Sequence, residues 1–132
     1  MTAMIRTFML GAILGDIAGS RYERDNIKHM PETLIDSGCR FTDDSVLTIA
    51  VAEGLLNGLS AAPASALMGS PALCARVSGA LAKSVRESAR QYPDAGYGRG
   101  FKQWFLSESS APYGSRGNGA AMRVSPAGWL AG

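Results

Sequence analysis

The feature that most constrains the fold is a segment, from about Asp43 to Asn57, whose apolar side chains would cover most sides of a helix. These side chains are Val46, Leu47, Ile49, Ala50, Val51 and Leu55. A helix with so broad an apolar face must be surrounded by other elements that bury it. The chain has 132 residues, of which 46% are hydrophobic, so it can build such a core, and intrinsic disorder is excluded. We therefore expect this segment to be the central helix of one domain.

The other periodic segments are also helical. Apolar residues recur with the i, i+3, i+4 spacing of a helix across residues 2–20. A further helix begins with Ser70 as its cap and runs from Pro71 to about Gln91. A short amphipathic helix follows at residues 101–106, and the chain is helical again from Ala120. The sequence contains no alternating strand pattern, so the predicted fold class is all-α.

Glycines make two local predictions. Gly11, Gly15 and Gly19 recur every four residues and so share one stripe of the first helix. Each weakens a helix by about 1 kcal/mol, which predicts that another helix or a ligand packs closely against this stripe. Gly58 is predicted to end the central helix.

Charge and hydropathy limit the partners and the compartment. The net charge of +2 is too small to indicate binding to nucleic acid or to an anionic membrane. Residues 1–53 carry a net charge of −3 and residues 54–132 a net charge of +5. That split suits a metal site beside an anion site, although two solvated surfaces explain it equally simply. Asp16 interrupts an apolar run that is too short to span a membrane, so we expect a cytoplasmic protein.

The thiols and the single imidazole offer little chemistry. Cys39, Cys74 and His29 are too few and too widely spaced for a structural zinc site. Two reduced cysteines are the simplest interpretation. A nucleophilic pair of His29 with either cysteine is left open, with no further residue in its favour.

Two acidic motifs could carry chemistry. Thr42-Asp43-Asp44-Ser45 opens the central helix, where Thr42 could cap the helix and the aspartates could interact with its positive end. The same oxygens also suit Mg²⁺, which prefers one or two carboxylates together with water. Asp16 lies within an apolar helix and needs a partner, because an unpaired buried carboxylate is costly. Glu23 begins a long polar loop and is either an exposed glutamate or a residue that reaches over a pocket.

The third motif is rich in glycine and precedes a predicted helix. It reads Gly114-Ser115-Arg116-Gly117-Asn118-Gly119. Glycines before a helix can direct several backbone N–H groups toward one anion. The motif is neither a Walker loop nor a dinucleotide fingerprint, and a plain surface turn remains the alternative.

Taken together and in order, the motifs resemble the ADP-ribosylglycohydrolases over nearly the whole chain. The matching segments are residues 11–23, 41–45, 96–98 and 117–123. This resemblance implies an all-α protein that uses two magnesium ions to cleave the bond between ADP-ribose and an acceptor. The implied ligands are therefore Mg²⁺ and ADP-ribose or an ADP-ribosylated substrate, with no nucleic-acid or membrane partner.

The resemblance also implies roles for individual residues. Thr42, Asp43 and Asp44 match metal ligands, and the two aspartates also count as catalytic. Glu23 matches a loop glutamate implicated in gating or catalysis. Asp16 matches an acid near the site, with its role as ligand or support left open.

A second group of matched positions concerns the nucleotide. Gly114, Ser115, Arg116, Gly117 and Asn118 match the loop that holds the diphosphate of ADP-ribose. Arg116 stands where relatives often have an aromatic residue, which could change how the nucleotide is held.

One departure from the family pattern concerns the metal shell. The family adds a second acidic cluster far downstream, whereas after Glu53 this sequence has only Glu87, Asp94 and Glu108 as acids. We therefore expect residues 1–132 to be a single all-α domain or the N-terminal part of a longer one, with impaired activity alone. The alternatives are a non-catalytic ADP-ribose-binding module and a structural remnant. We also expect an exposed apolar surface that promotes homo-oligomerisation.

Overall fold

A computed structural model describes residues 2–109 and 111–131, with side chains described for residues 9–109 and 111–130. Within these residues every element of regular secondary structure is a helix, and there is no strand. The elements are α1 (Thr2–Gly19), α2 (Asp43–Leu59), a 3₁₀ helix (Ala64–Gly69), α3 (Pro71–Gln91), α4 (Arg99–Leu106), α5 (Gly119–Met122) and α6 (Ser125–Ala131). The predicted all-α fold class is confirmed.

Helix α2 is the centre of the fold. It packs along α3, and α1, α5 and α6 also contact it. The larger core cluster consists of Val46, Leu47, Ala50, Val85, Ala89, Tyr97, Phe101 and Phe105, from α2, α3, α4 and the turn before α4. Two apolar α2 side chains remain uncovered, because Ile49 is 41% exposed and Leu56 is 47% exposed. These two side chains are thus partly exposed, and an apolar surface that promotes homo-oligomerisation stays a prediction.

Helix α3 begins as the sequence predicts. Ser70 caps it by accepting a hydrogen bond from the Leu73 N–H at 3.2 Å, and Pro71 occupies the first turn. Pro71 suits that position because the first helical N–H has no partner within the helix. The buried side chains Leu73, Val77 and Val85 then face the core.

Close helix packing occurs at glycines of α2. A Cβ atom at Gly54 would lie 2.8 Å from the Cα of Leu81, and one at Gly58 would lie 2.7 Å from the Cα of Val77. Any side chain at these positions would push α2 and α3 apart. The prediction that Gly58 ends α2 was wrong. Gly58 lies inside the helix, where the lack of a side chain allows α3 to approach closely. The helix continues to Leu59 and is closed by Ser60, which has a φ of 47°.

The glycine stripe of α1 has the opposite surroundings. A Cβ atom at Gly11, Gly15 or Gly19 would meet no described atom within 4 Å. Of the two predicted partners of this stripe, the closely packed helix was therefore wrong for the described part of the chain, and the ligand stays a prediction. Glycine spacing alone could not show which helix crosses another closely.

The long loop between α1 and α2 is tied back at two points. Arg21 forms an ion pair with Asp36, and the Arg40 N–H donates to Ser20 Oγ at 3.1 Å. These contacts bring the loop's end back to the last turn of α1, next to the start of α2. Within the described residues, no helix combines the length and the apolar character needed to cross a membrane.

Candidate functional site

The first turn of α2 is built on a buried carboxylate from α1. Asp16 is 9% exposed, and its two oxygens accept four hydrogen bonds. The Thr42 N–H and hydroxyl donate at 2.8 and 2.5 Å, and the Ser45 N–H and hydroxyl donate at 3.1 and 2.5 Å. Helix N-termini have N–H groups without partners inside the helix, and Asp16 satisfies two of them. The apolar α1 thus contains a carboxylate because that carboxylate holds α2 in place.

Thr42 combines the capping geometry with a free electron pair. Its side chain is 2% exposed, donates to Asp16, and accepts the Asp44 N–H at 3.4 Å. A hydroxyl has one proton and two lone pairs, so one lone pair remains for a cation. The two readings of this motif, helix cap and metal ligand, are therefore compatible in this geometry.

The two aspartates of the first turn lie in a strongly acidic environment. Burial, and then the charges of Asp44, Glu23 and Asp16, raise the pKa of Asp43 to about 6, partly offset by a backbone hydrogen bond. Burial and the charges of Asp16 and Glu23 also raise the pKa of Asp44. The structure thus gathers all four predicted acids, including Glu23 from the loop, closely enough that they repel one another.

A turn before α4 clasps Asp43 from the other side. The Asp43 N–H donates to the Ala95 carbonyl at 2.8 Å. Gly96 has a φ of 111°, and a Cβ atom there would lie 3.3 Å from Asp43 Oδ1. Tyr97 is 5% exposed, and burial together with the Asp43 charge raises its pKa to about 12. From the sequence, Gly96-Tyr97-Gly98 contributed only to the family resemblance, and no role in the site was predicted for it.

A cleft of about 400 Å³ joins the first turn of α2 to the glycine-rich loop. Its lining includes Asp43, Leu47, Phe101, Tyr113, the loop residues 114–118 and Arg123. Asp43 and the loop are far apart in the sequence, and the fold brings them to one cavity. Asp16, Glu23, Thr42 and Asp44 do not line this cleft; they lie close to Asp43, which does.

The glycine-rich loop itself is exposed along residues 114–118. Gly114 has a φ of 65°, a conformation that favours glycine. The Gly117 N–H donates to Ser115 Oγ at 3.3 Å, so one backbone donor of the loop is already used. Helix α5, which follows, has only four residues. The predicted anion cradle is therefore an exposed loop whose other backbone N–H groups have no hydrogen-bond partner among the described residues.

The comparison with protein families agrees with this arrangement. A family model described as ADP-ribosylglycohydrolase matches residues 2–132. The chain belongs to the ADP-ribosylglycohydrolase family. No curated protein and no solved structure matches the chain. The resemblance inferred from the ordered motifs is thereby confirmed, and the roles of the individual residues stay predictions.

The side chains that could hold a metal ion in this ADP-ribosylglycohydrolase all provide oxygen ligands. Asp43 and Asp44 supply carboxylates and Thr42 supplies a hydroxyl, which is the donor chemistry that Mg²⁺ prefers. A cation would also relieve the repulsion that raises the pKa of Asp43. Within the described residues, no three His, Cys, Asp or Glu side chains form a metal-binding group. The residues thus fit Mg²⁺ with part of its shell left to water or ligand oxygens.

The later acids of the chain do not complete this shell. Glu87 is 3.9 Å from Lys83 in an exposed pair on α3, and Glu108 is 3.6 Å from Arg90. Asp94 is exposed, and none of the three acids lines the cleft.

Sequence reasoning missed three residues that line the cleft, Phe101, Tyr113 and Arg123. Phe101 follows one group of glycines and Tyr113 precedes another, so both were available in the sequence as aromatic residues beside glycines. Arg123 closed one of the motifs that carried the resemblance. Nothing in the sequence placed any of them in the same cavity as Asp43.

Proposed function

We propose that this member of the family hydrolyses the glycosidic bond between ADP-ribose and an acceptor, with Mg²⁺ as its cofactor. The observation that carries the proposal is the cleft that places Asp43 in one cavity with the loop of residues 114–118. An acidic end and a glycine-rich, basic end suit a ligand with a ribose at one side and a diphosphate at the other. The acceptor, whether arginine, serine or a small molecule, is not part of the proposal.

In this proposal Thr42, Asp43 and Asp44 hold Mg²⁺. Bound there, Mg²⁺ supplies positive charge that orients the ribose hydroxyls and favours ionisation of the attacking water. Asp16 keeps the first turn of α2 in register through its four hydrogen bonds. That support matters because catalytic groups act only when they are held in the productive geometry.

The remaining residues bind the substrate and manage protons. Glu23 accepts a proton from the attacking water, since cleavage at the anomeric carbon passes through an oxocarbenium-like state that water must trap. Backbone N–H groups of residues 114–118 bind the diphosphate. Phe101 and Tyr113 form an apolar wall of the cleft, which limits the access of bulk water.

A binding module without hydrolysis is the second candidate. It is favoured by the absence, within the described part of the chain, of three His, Cys, Asp or Glu side chains arranged to hold a metal ion. A partial metal shell could still bind the nucleotide while lacking the groups needed for turnover.

The test combines calorimetry with an activity assay on the purified chain. ADP-ribose is titrated with Mg²⁺ and with EDTA, and release of ADP-ribose is followed from ADP-ribosylated arginine and serine peptides. We expect Mg²⁺-dependent turnover that Asp43→Asn and Asp44→Asn abolish and that Asp94→Asn, an exposed control, retains. Mg²⁺-dependent binding with no turnover would favour the binding module. A chain that shows no binding of ADP-ribose and no turnover would overturn both candidates.

A further inference from the structure

Arg123 is a half-buried cation that no described carboxylate pairs with. It follows α5, and its guanidinium lies 5.8 Å from the centre of the Phe101 ring. Within the described residues it forms no ion pair and no side-chain hydrogen bond. The guanidinium carries five N–H donors that all prefer acceptors, so such a position is unusual for a side chain removed in part from water.

Other arginines of the basic half show the contrast. Arg76 donates to the Gly58 and Leu59 carbonyls, at 2.7 and 3.1 Å. Arg90 donates to the Phe105 carbonyl at 3.1 Å and pairs with Glu108. These arginines tie helix ends and loops together. Arg123 makes no hydrogen bond or ion pair of this kind with any described residue, so a partner for its charge is sought in the cleft.

The cleft gives Arg123 a position beside the glycine-rich loop. Arg123 lines the same cavity as residues 114–118, and it also borders the neighbouring apolar groove of about 630 Å³. The Phe101 ring restricts the guanidinium by a cation–π contact, which lowers the entropy lost when a ligand binds. Arginine held in this way is suited to bidentate contact with a phosphate.

We propose that Arg123 is an anion-binding residue of the cleft, and that it supplies the positive charge for a phosphate group of a nucleotide ligand. The backbone N–H groups of the loop provide direction but no net charge. Arg116, which is exposed on the loop, and Arg123, which is half-buried and held over Phe101, are the two cations that line the cleft. That the nucleotide is ADP-ribose rests on the proposed function. The binding of a nucleoside diphosphate through Arg123 does not depend on it.

The experiment measures nucleotide affinity by calorimetry for the chain and for three variants. Arg123→Met keeps an unbranched apolar side chain over Phe101 but removes the charge. Arg123→Lys keeps the charge but loses the planar guanidinium that can contact a phosphate through two N–H groups. Lys83→Met is the matched control, since it removes one positive charge from an exposed side chain of α3 that does not line the cleft. The probes are ADP-ribose, ADP and adenosine, each measured with Mg²⁺ and with EDTA.

We expect Arg123→Met to weaken ADP-ribose and ADP binding about ten- to one-hundredfold, as for a lost charge-assisted hydrogen bond. Arg123→Lys should weaken ADP-ribose and ADP binding less than Arg123→Met does. The nucleotide affinities of Lys83→Met should stay within about twofold of those of the unmodified chain. The adenosine affinities of all variants should also stay within about twofold, since adenosine has no phosphate for a charge-assisted contact. Circular dichroism and the thermal midpoint establish that Arg123→Met is folded. If it is not, the Arg123→Lys comparison decides.

The outcomes separate this inference from the proposed function. Equal ADP and ADP-ribose affinity in the chain and in Arg123→Met would overturn the inference and leave the hydrolase proposal intact. Arg123-dependent ADP binding without any hydrolysis would support the inference while the hydrolase proposal fails. Absence of ADP and ADP-ribose binding to the unmodified chain would overturn the inference, and the hydrolysis assay would then test the proposed function alone.

Discussion

The two walls of the cleft are built in opposite ways. At the acidic wall, Asp16 is buried and its four hydrogen bonds fix the backbone from Thr42 to Ser45 before any ligand arrives. At the basic wall, residues 114–118 are exposed, and the one hydrogen bond described within them joins Gly117 to Ser115. The acidic wall belongs to the helical core, whereas the basic wall is a loop followed by a four-residue helix.

This difference separates stability from binding. Substitutions at the acidic wall should change folding, because buried polar groups lose their partners there. Substitutions at the loop should change ligand affinity and leave folding nearly unaltered, because the loop has few contacts to lose. Three predictions, from the largest expected effect to the smallest, test that contrast.

The largest effect is expected at Asp16. Asp16→Ala leaves two N–H groups and two hydroxyls at the start of α2 without acceptors, which should destabilise the fold by about 3 kcal/mol or more. Asp16→Asn should cost less, because its oxygen can accept from three of these donors while its amide faces the Thr42 hydroxyl. Urea unfolding measures both. Asp94→Asn, at an exposed site, is the control and should change the free energy of unfolding little. An equally small change in Asp16→Ala would contradict the role of Asp16 in supporting the start of α2.

An intermediate effect of opposite sign is expected at Asp43. Because the pKa of Asp43 is raised to about 6 in the folded chain, the folded state binds the proton more tightly than the unfolded state. Stability from this group is therefore present at low pH and lost as the pH rises through about 6. Asp43→Asn removes the buried charge and should stabilise the chain by about 1 kcal/mol at pH 8 in EDTA, a value reduced for solvent screening.

Thermal unfolding between pH 3 and pH 8 checks this sign. The difference between the chain and Asp43→Asn should vanish below pH 4, and Mg²⁺ should stabilise the unmodified chain at pH 8 but not the variant. A variant less stable than the chain at pH 8 in EDTA would show that Asp43 is a stabilising helix-end charge instead.

The smallest effect on folding is expected in the loop. Ser115→Ala and Arg116→Ala should change the free energy of unfolding by less than about 0.5 kcal/mol, because both side chains are exposed. Their effect should appear in ADP-ribose affinity, measured by calorimetry. A large loss of stability in either variant would mean that the loop is part of the core, and the contrast between the two walls would fail.

Much of the helical fold could be predicted from periodicity and caps. The apolar run after Asp43 predicted the buried α2, and Ser70 with Pro71 predicted the start of α3. Both predictions depend on neighbours within one or two turns, where local sequence determines which groups lack partners. The predictions that Gly58 ends α2 and that a helix packs against the α1 stripe failed, because close packing depends on the positions of two helices. Gly58 faces the Val77 backbone, and no pattern within α2 records that neighbour.

The site divides in the same way. The acids near Asp43 were all named from the sequence, since residue type and position at a helix start indicate their chemistry. Arg123 was not, because its importance comes from what it lacks, a partner within the described structure, and from the cavity it lines. Distances across the fold cannot be read from spacing along the chain.

The sequence by itself determined the all-α class, the buried α2 with Thr42-Asp43-Asp44 at its start, and the resemblance to the ADP-ribosylglycohydrolases. These follow from periodicity, from capping residues and from the order of the motifs. Only the tertiary structure decided that Asp16 supports α2, that Gly96 lies against Asp43, and that Asp43 shares a cleft with the glycine-rich loop and Arg123. Each of those contacts joins residues far apart in the chain, and only packing of the whole core brings such residues together.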